Sequence, residues 1–353
     1  MKKQQVTVLG DGAWGTAIAQ LLAHNGHHVM QWCYSQHVAT EINRTRHNAY
    51  FLPNIALSPH ITATTSLEEA LAFSNYIFEA IPVKFLRSIV TQAQPFARNN
   101  HQWVILSKGI ENDTLMLPSE ILHSTLAHML PEIIISGPSY AYDVAHHKLT
   151  SLVIASQSSA DVQPIHELIN NAQLHLSRSF DTQGIQRAAA FKNVVALALA
   201  ILEGASHGEN TRTFAFMRLF QEMQTFITHY NSPLETVYGP AGLGDLVLTA
   251  WGTRSKNRSW GIKIGHAMTQ GLDIHELLKS PSHLNNQSVG SQSKEFQLER
   301  FKPEIPQPEG LNTLISLRNI CIQDGISLPL SHALYQIIFE NEPLALFINT
   351  LTK

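Results

Sequence analysis

The chain has 353 residues, a formal net charge of -3, 44% hydrophobic residues and 14% charged ones. That length exceeds what one ordinary core fills and fits two domains, and the apolar share can bury both, so disorder as the dominant state is excluded. The slightly acidic balance argues against a nucleic-acid surface, which carries a basic excess, and directs attention to small molecules or other protein chains.

Along the chain, Met1-Lys2-Lys3 is followed by Val6-Thr7-Val8-Leu9-Gly10, a strand broken by glycine and not the long apolar run of a signal peptide. Up to about residue 180, β-rich runs alternate with helical ones. Strands are expected at Val6–Leu9, His28–Trp32, Ile77–Ile81, Trp103–Leu106, Ile133–Ser136, Ser151–Ala155 and Leu174–Leu176. Helices are expected at Ala13–His24, Val83–Ala93, Pro118–Met129 and Ala160–Asn170. Such alternation predicts an α/β Rossmann-type, doubly wound domain over residues 1–183.

From 184 to 353 the pattern predicts an all-α domain. Helices are expected at Gly184–Leu202, Asn210–His229, Lys256–Thr269, Ser291–Arg300, Glu309–Gln323 and Pro329–Glu340, with a Gly-rich loop at Tyr238–Asp245 and a long loop from His275 to Ser293. The aliphatic stretch Val194–Leu202 is far below the roughly 20 residues of a membrane span and reads as a buried core helix. Two cysteines, Cys33 and Cys321, form no disulfide framework, and the nineteen histidines are scattered without a metal-binding motif. No metal, membrane or nucleic-acid partner is expected, and the compartment expected is the cytoplasm.

Gly10-Asp11-Gly12-Ala13-Trp14-Gly15 is a G-x-G-x-x-G that closes a strand and opens a helix, the context in which this motif holds a dinucleotide. Gly10 permits the tight turn, Gly12 lets the backbone approach a pyrophosphate, and Gly15 allows close helix–strand packing. The amides around Ala13 and Trp14 add donors and a positive dipole. Asp11 is awkward, because a carboxylate beside a pyrophosphate is repulsive unless it points away. At the tip of the second strand, Trp32-Cys33-Tyr34-Ser35 offers no acid to grip a ribose 2′-hydroxyl, and Tyr34 stands where the cofactor's ribose is expected. The cofactor expected is NAD(P), leaning to NADP.

More specific runs follow in order: Gly10–Ala19, Asn48–Pro53, Ser107-Lys108-Gly109, Ile135–Ser139, Phe191–Val194, Asn210–Thr213 and Ala241–Thr249. Together they resemble bacterial NAD(P)-dependent glycerol-3-phosphate dehydrogenase over nearly the whole chain. The resemblance implies hydride transfer between a nicotinamide and C2 of sn-glycerol 3-phosphate, giving dihydroxyacetone phosphate and serving glycerophospholipid synthesis. It also implies a C-terminal domain like that of 6-phosphogluconate dehydrogenase, and a homodimer through that domain. Carried over, Lys192 is the proton-accepting lysine and Lys108 meets both substrate and cofactor. Asp245 lies beside the reacting hydroxyl, Gly137 and Ser139 contact substrate, and Ala141 contacts cofactor. Ser255, Lys256 and Asn257 meet the substrate phosphate, with Lys256 also on the cofactor.

These roles suit the residues' chemistry. Oxidising a secondary alcohol needs a base in hydrogen-bond reach of the hydroxyl, and a lysine serves if burial and a neighbouring cation, here Lys108, favour its neutral form. Several positions depart from the family pattern. Lys256 replaces an arginine, keeping charge but losing the bidentate fork. Tyr142-Asp143, Glu203, Arg187-Ala188-Ala189 and Asn286-Gln287-Ser288 also differ. Two alternatives therefore stay open: a dehydrogenase of another small hydroxy substrate, and a weakened dinucleotide-binding sensor or scaffold.

Overall fold

The computed structural model describes residues 3–126, 131–279 and 307–353. One eight-stranded sheet is built from β1 (Gln5–Leu9), β2 (His28–Trp32), β3 (Ile61–Thr64), β4 (Tyr76–Glu79), β5 (Gln102–Ile105), β6 (Ile133–Ser136), β7 (Thr150–Ala155) and β8 (Leu174–Ser179). Its order is β3-β2-β1-β4-β5-β6-β7-β8, and every pairing is parallel except β6 with β7. The order reverses at β1, so a crevice opens beyond the carboxyl ends of β1 and β4, the usual ligand position in open α/β sheets.

Helices α1 (Ala13–His24), α2 (Gln36–Thr45), α3 (Leu67–Phe73), α4 (Val83–Ala93), α5 (Pro118–Leu126), α6 (Ala141–Ala145) and α7 (Ser159–Ile169) connect the strands. The central strands are buried on both faces and read as apolar on both sides, whereas the edge strands β3 and β8 are partly exposed. Val6 and Val8 join one buried cluster with Ile18, Leu22 and Ile165, whereas Leu9 and Ile77 join another with Leu86, Trp103 and Ile121. That alternation is the period-two register of a strand. Serine caps start several helices: Ser35 accepts from the Val38 amide, Ser66 from Glu69 and Ser158 from Ala160.

Strand β3 and helices α2, α3 and α6 were not predicted from the sequence pattern. They are short, and in α2 only Val38, Ala39 and Ile42 are buried, too narrow a stripe to stand out. The Rossmann-type sheet itself is as expected.

The remaining helices are α8 (Thr182–Gly204), α9 (Glu209–His229), α10 (Leu234–Tyr238), α11 (Asp245–Trp251), α12 (Lys256–Thr269), α13 (Ile274–Lys279), α14 (Glu309–Asp324), α15 (Pro329–Phe339) and α16 (Leu344–Leu351). Among the described residues no strand follows β8, as expected for an all-helical C-terminal part. The stretch expected to be a loop from His275 begins instead as α13, and its remainder lies outside the described residues. The same holds for Ser291–Arg300, Asn286-Gln287-Ser288 and the end of the Pro118–Met129 helix. The expected Gly-rich loop contains a π-helical turn at Pro240–Gly244. Helix α8 is long and apolar enough to cross a membrane by length and composition, but its apolar window is wholly buried.

The chain divides into two compact units, Met1–Lys192 with Met223–Thr249, and Asn193–Glu222 with Ala250–Lys353. Within the second, α12 lies on the end of α8 at backbone distance. A Cβ at Gly265 would collide with the Ile201 carbonyl oxygen, and one at Gly261 would stand 2.7 Å from that of Leu197. Replacing Gly265 by alanine is therefore expected to cost about 1–3 kcal/mol through overpacking, read as a lower denaturation midpoint for the second unit.

Candidate active site

The centre of the first unit is one carboxylate held by two lysines. Asp245, at the start of α11 and 2% exposed, receives Lys192 Nζ on Oδ1 at 2.8 Å and Lys108 Nζ on Oδ2 at 2.6 Å. Lys192, 6% exposed on α8, also donates to Thr249 Oγ1 at 2.9 Å, one turn along α11 from Asp245. Lys108 comes from the loop after β5 and reaches the Gly137 carbonyl at 3.4 Å. Ser139 Oγ donates to that same carbonyl at 3.0 Å, and the Tyr140 hydroxyl donates to the Leu248 carbonyl at 2.8 Å, tying the β6 loop to α11.

Burial would push the Asp245 carboxyl up, but Lys108 and then Lys192 outweigh it and hold it below the ordinary carboxylate value. The cluster thus brings two lysine side chains onto one buried carboxylate. The sequence reading set Lys108 beside Lys192 as a bare cation; instead Asp245 stands between them. Gly137 has φ +138°, and a Cβ there would sit 2.9 Å from the Ser151 carbonyl oxygen, so only glycine fits this loop.

The glycine turn follows β1. Gly10 has φ +130° and packs on Ala80, and a side chain at Gly15 would strike the Gly10 carbonyl. In front of Gly12 there is open space, and no side chain caps α1 there. The Trp14 indole N–H is buried without a hydrogen-bond partner among the described residues. An open approach, uncapped helix amides and an unmatched donor fit a dinucleotide pyrophosphate. Tyr34 is 79% exposed beyond β2, and Ala141 begins α6 after the Ser139 loop. Tyr142 stacks on His146, and Arg187 lies over the Tyr230 ring, so the arginine's bulk is carried on an aromatic face.

The residues expected at the phosphate belong to the second unit. Ser255 caps α12 by accepting from the Arg258 amide at 3.2 Å, and Lys256 is exposed. Asn257 is buried: its Nδ2 donates to Asn193 Oδ1 at 2.9 Å, and its Oδ1 accepts from the Gly310 amide at 2.9 Å. In this structure its side chain thus ties α8, α12 and α14 together. Arg258 and Arg212 both pair with Glu203.

Two acids were missed or misjudged from the sequence. Glu79, fully buried at the end of β4, accepts from the Ile81 amide at 2.6 Å and the Ser107 hydroxyl at 2.8 Å, bracing the Ser-Lys-Gly loop that carries Lys108. No sequence motif marks it. The Asp11 carboxylate turns away from the glycine turn and accepts from the Ser35 amide at 3.1 Å, which removes the feared repulsion.

A mostly parallel sheet with a glycine turn at its switch point, together with a buried lysine–aspartate cluster, defines a class: nicotinamide-dependent dehydrogenases that act on alcohols. Comparison with known proteins narrows this. The N-terminal family model of NAD-dependent glycerol-3-phosphate dehydrogenase matches residues 5–162, and its C-terminal counterpart matches 181–349. The chain is 32% identical over 341 residues to glycerol-3-phosphate dehydrogenase (NAD(P)+) of Citrifermentans bemidjiense, covering 96% of this chain and 94% of that protein. It is 31% identical over 345 residues to that of Geobacter sulfurreducens, with the same coverage. Among solved structures, glycerol-3-phosphate dehydrogenase of Coxiella burnetii superposes with a TM-score of 0.84 at 25% identity over 99% of each chain. The chain belongs to the NAD(P)-dependent glycerol-3-phosphate dehydrogenase family.

Burial raises the Glu79 carboxyl from 4.5 to about 7, against the hydrogen bonds it accepts. The unfolded chain therefore releases this proton at lower pH than the folded one, so this group's contribution makes stability fall as pH rises between those values and leaves it flat above them. Glu79→Gln, which mimics the protonated form, is expected to remove that slope. Denaturant unfolding at about pH 5 and about pH 8 should show wild type losing up to about 3 kcal/mol relative to the variant.

Proposed function

We propose that this chain interconverts sn-glycerol 3-phosphate and dihydroxyacetone phosphate with NAD(P), supplying the backbone of glycerophospholipids. What supports the reading most is the Lys192–Asp245–Lys108 cluster, a buried proton-transfer group held by a carboxylate, in a chain of this family. In the same reading residues 1–183 hold the dinucleotide, residues 184–353 supply substrate and catalytic groups, and the enzyme works in the cytoplasm.

When bound, NAD(P) would supply or accept the hydride at C2. The protein's own part is proton transfer and charge. In the reducing direction the Lys192 ammonium gives a proton to the carbonyl oxygen as that oxygen gains charge; in the oxidising direction the neutral amine takes the hydroxyl proton. Asp245 fixes the direction of Lys192 Nζ, and Thr249 braces it from the next turn of α11. Lys108, held on the other carboxylate oxygen, adds positive charge towards the developing alkoxide. Gly10, Gly12 and Gly15, with the amides around Ala13 and Trp14, would hold the pyrophosphate. Ser255, Lys256 and Asn257 at the start of α12 are assigned to the substrate phosphate, Lys256 by its charge and Asn257 by holding the segment in place.

The reaction is followed by absorbance at 340 nm with dihydroxyacetone phosphate and each reduced cofactor. Lys192→Ala is expected to lower kcat by ~10²–10⁴-fold while dinucleotide binding stays near wild type. Near-normal turnover would make this lysine structural. Lys256→Met is expected to raise KM for the phosphorylated substrate by the equivalent of roughly 1–3 kcal/mol, and Lys256→Arg to lower it by restoring two parallel hydrogen bonds. Unchanged kinetics in both would move the phosphate away from α12. Turnover only with an unphosphorylated hydroxy acid would leave a dehydrogenase of another substrate.

A further inference from the structure

We infer that Asp11 selects between the two nicotinamide dinucleotides, favouring the ribose with a bare 2′-hydroxyl (NAD) over the one with a 2′-phosphate (NADP). This rests on the reading that the glycine turn holds such a dinucleotide.

In Rossmann sheets a carboxylate at the end of the second strand accepts a hydrogen bond from the ribose 2′-hydroxyl, and the same charge repels a 2′-phosphate. The run Trp32-Cys33-Tyr34-Ser35-Gln36 contains no acid, and from this absence the sequence leaned to NADP. The structure supplies the acid from the neighbouring strand. Asp11 follows β1, and its Oδ2 accepts from the Ser35 amide just beyond the end of β2. The placement is built in on several sides. Gln31 Nε2 donates to the Gly10 carbonyl at 2.9 Å, and Asn48 Nδ2, fully buried, donates to the Asp11 carbonyl at 2.8 Å. With the peptide on either side of its Cα held, the Asp11 Cα–Cβ bond is fixed, and the Ser35 amide takes the carboxylate at its end.

Two consequences follow for the tip of β2. A backbone amide there, which in a phosphate-binding turn would face an anion, already serves a carboxylate: the Ser35 N–H donates to Asp11 Oδ2, and although burial raises the Asp11 carboxyl, the amides of Ser35, Asp11 and Tyr34 oppose that rise. The tip also lacks any lysine or arginine to offset the charge. A 2′-phosphate arriving there meets negative charge and an amide already engaged, whereas a 2′-hydroxyl meets an acceptor.

The test is equilibrium binding of NADH and NADPH to the full chain without substrate, by isothermal titration calorimetry. Wild type is expected to bind NADH at least roughly tenfold more tightly than NADPH, the scale of one carboxylate against a phosphate dianion across a wet surface. Asp11→Asn, which keeps an acceptor for Ser35 but removes the charge, is expected to shrink that ratio roughly tenfold, mainly by tightening NADPH. Wild type offers the same test without a substitution: the ratio should shrink as salt is raised from about 0.01 M to about 1 M, because a charge repulsion is screened. A wild-type preference for NADPH, or a ratio that neither the substitution nor salt alters, overturns the inference while leaving the dinucleotide reading intact. If wild type binds neither dinucleotide, the reading of the glycine turn fails and this inference with it.

Discussion

A buried carboxylate with two ammonium partners constrains the rest of the first unit. Asp245 is 2% exposed, and an isolated charge so far from water would be costly enough to take up a proton. Lys108 and Lys192 reverse that, and in return the carboxylate fixes two long, flexible side chains that would otherwise lose their direction. Each partner reaches the cluster from a different element: the loop after β5, helix α8 and the start of α11. The β6 loop closes around them through Gly137, Ser139 and Tyr140, and its glycine is set by backbone contact with β7. The geometry that fixes the direction of Lys192 Nζ is the same geometry that satisfies the buried charge.

Along the carboxyl rim of the sheet, burial raises two more acids. Glu79 is fully enclosed, and burial raises it to about 7, so it acts chiefly as a hydrogen-bonding brace for Ser107 and the lysine beside it. Asp11 is only partly enclosed, and burial raises it too, against the Ser35 amide that donates to it just beyond the end of β2. One acid braces the loop that carries Lys108, and the other lies against the backbone just beyond β2.

The second unit follows another logic. Its α8–α12 contact depends on glycines at 261 and 265, whose missing side chains let the helix backbones touch. Around that contact, Asn193, Asn257 and the Gly310 amide form a buried polar link, and Glu203 collects both Arg212 and Arg258. Arg212 and Arg258 are thus engaged by one half-buried acid, while Lys256 is exposed at the helix start.

The sequence by itself determined the doubly wound sheet, most of its strands, the helical nature of the C-terminal part and the glycine turn. These rest on local periodicity and on a motif whose residues are neighbours in the chain. Its specific runs also carried the family and named Lys108, Lys192 and Asp245. Tertiary structure alone decided how these three meet, because residues 108, 192 and 245 lie on separate elements and their joint carboxylate is a matter of packing. It also decided what no local pattern could mark. Glu79 became a buried brace, Asn257 a link among three helices, and Asp11 the acid that the second strand lacks. Short elements such as β3 and α2 were invisible for a related reason: their burial comes from neighbours in space, and too few of their own residues take part to leave a period.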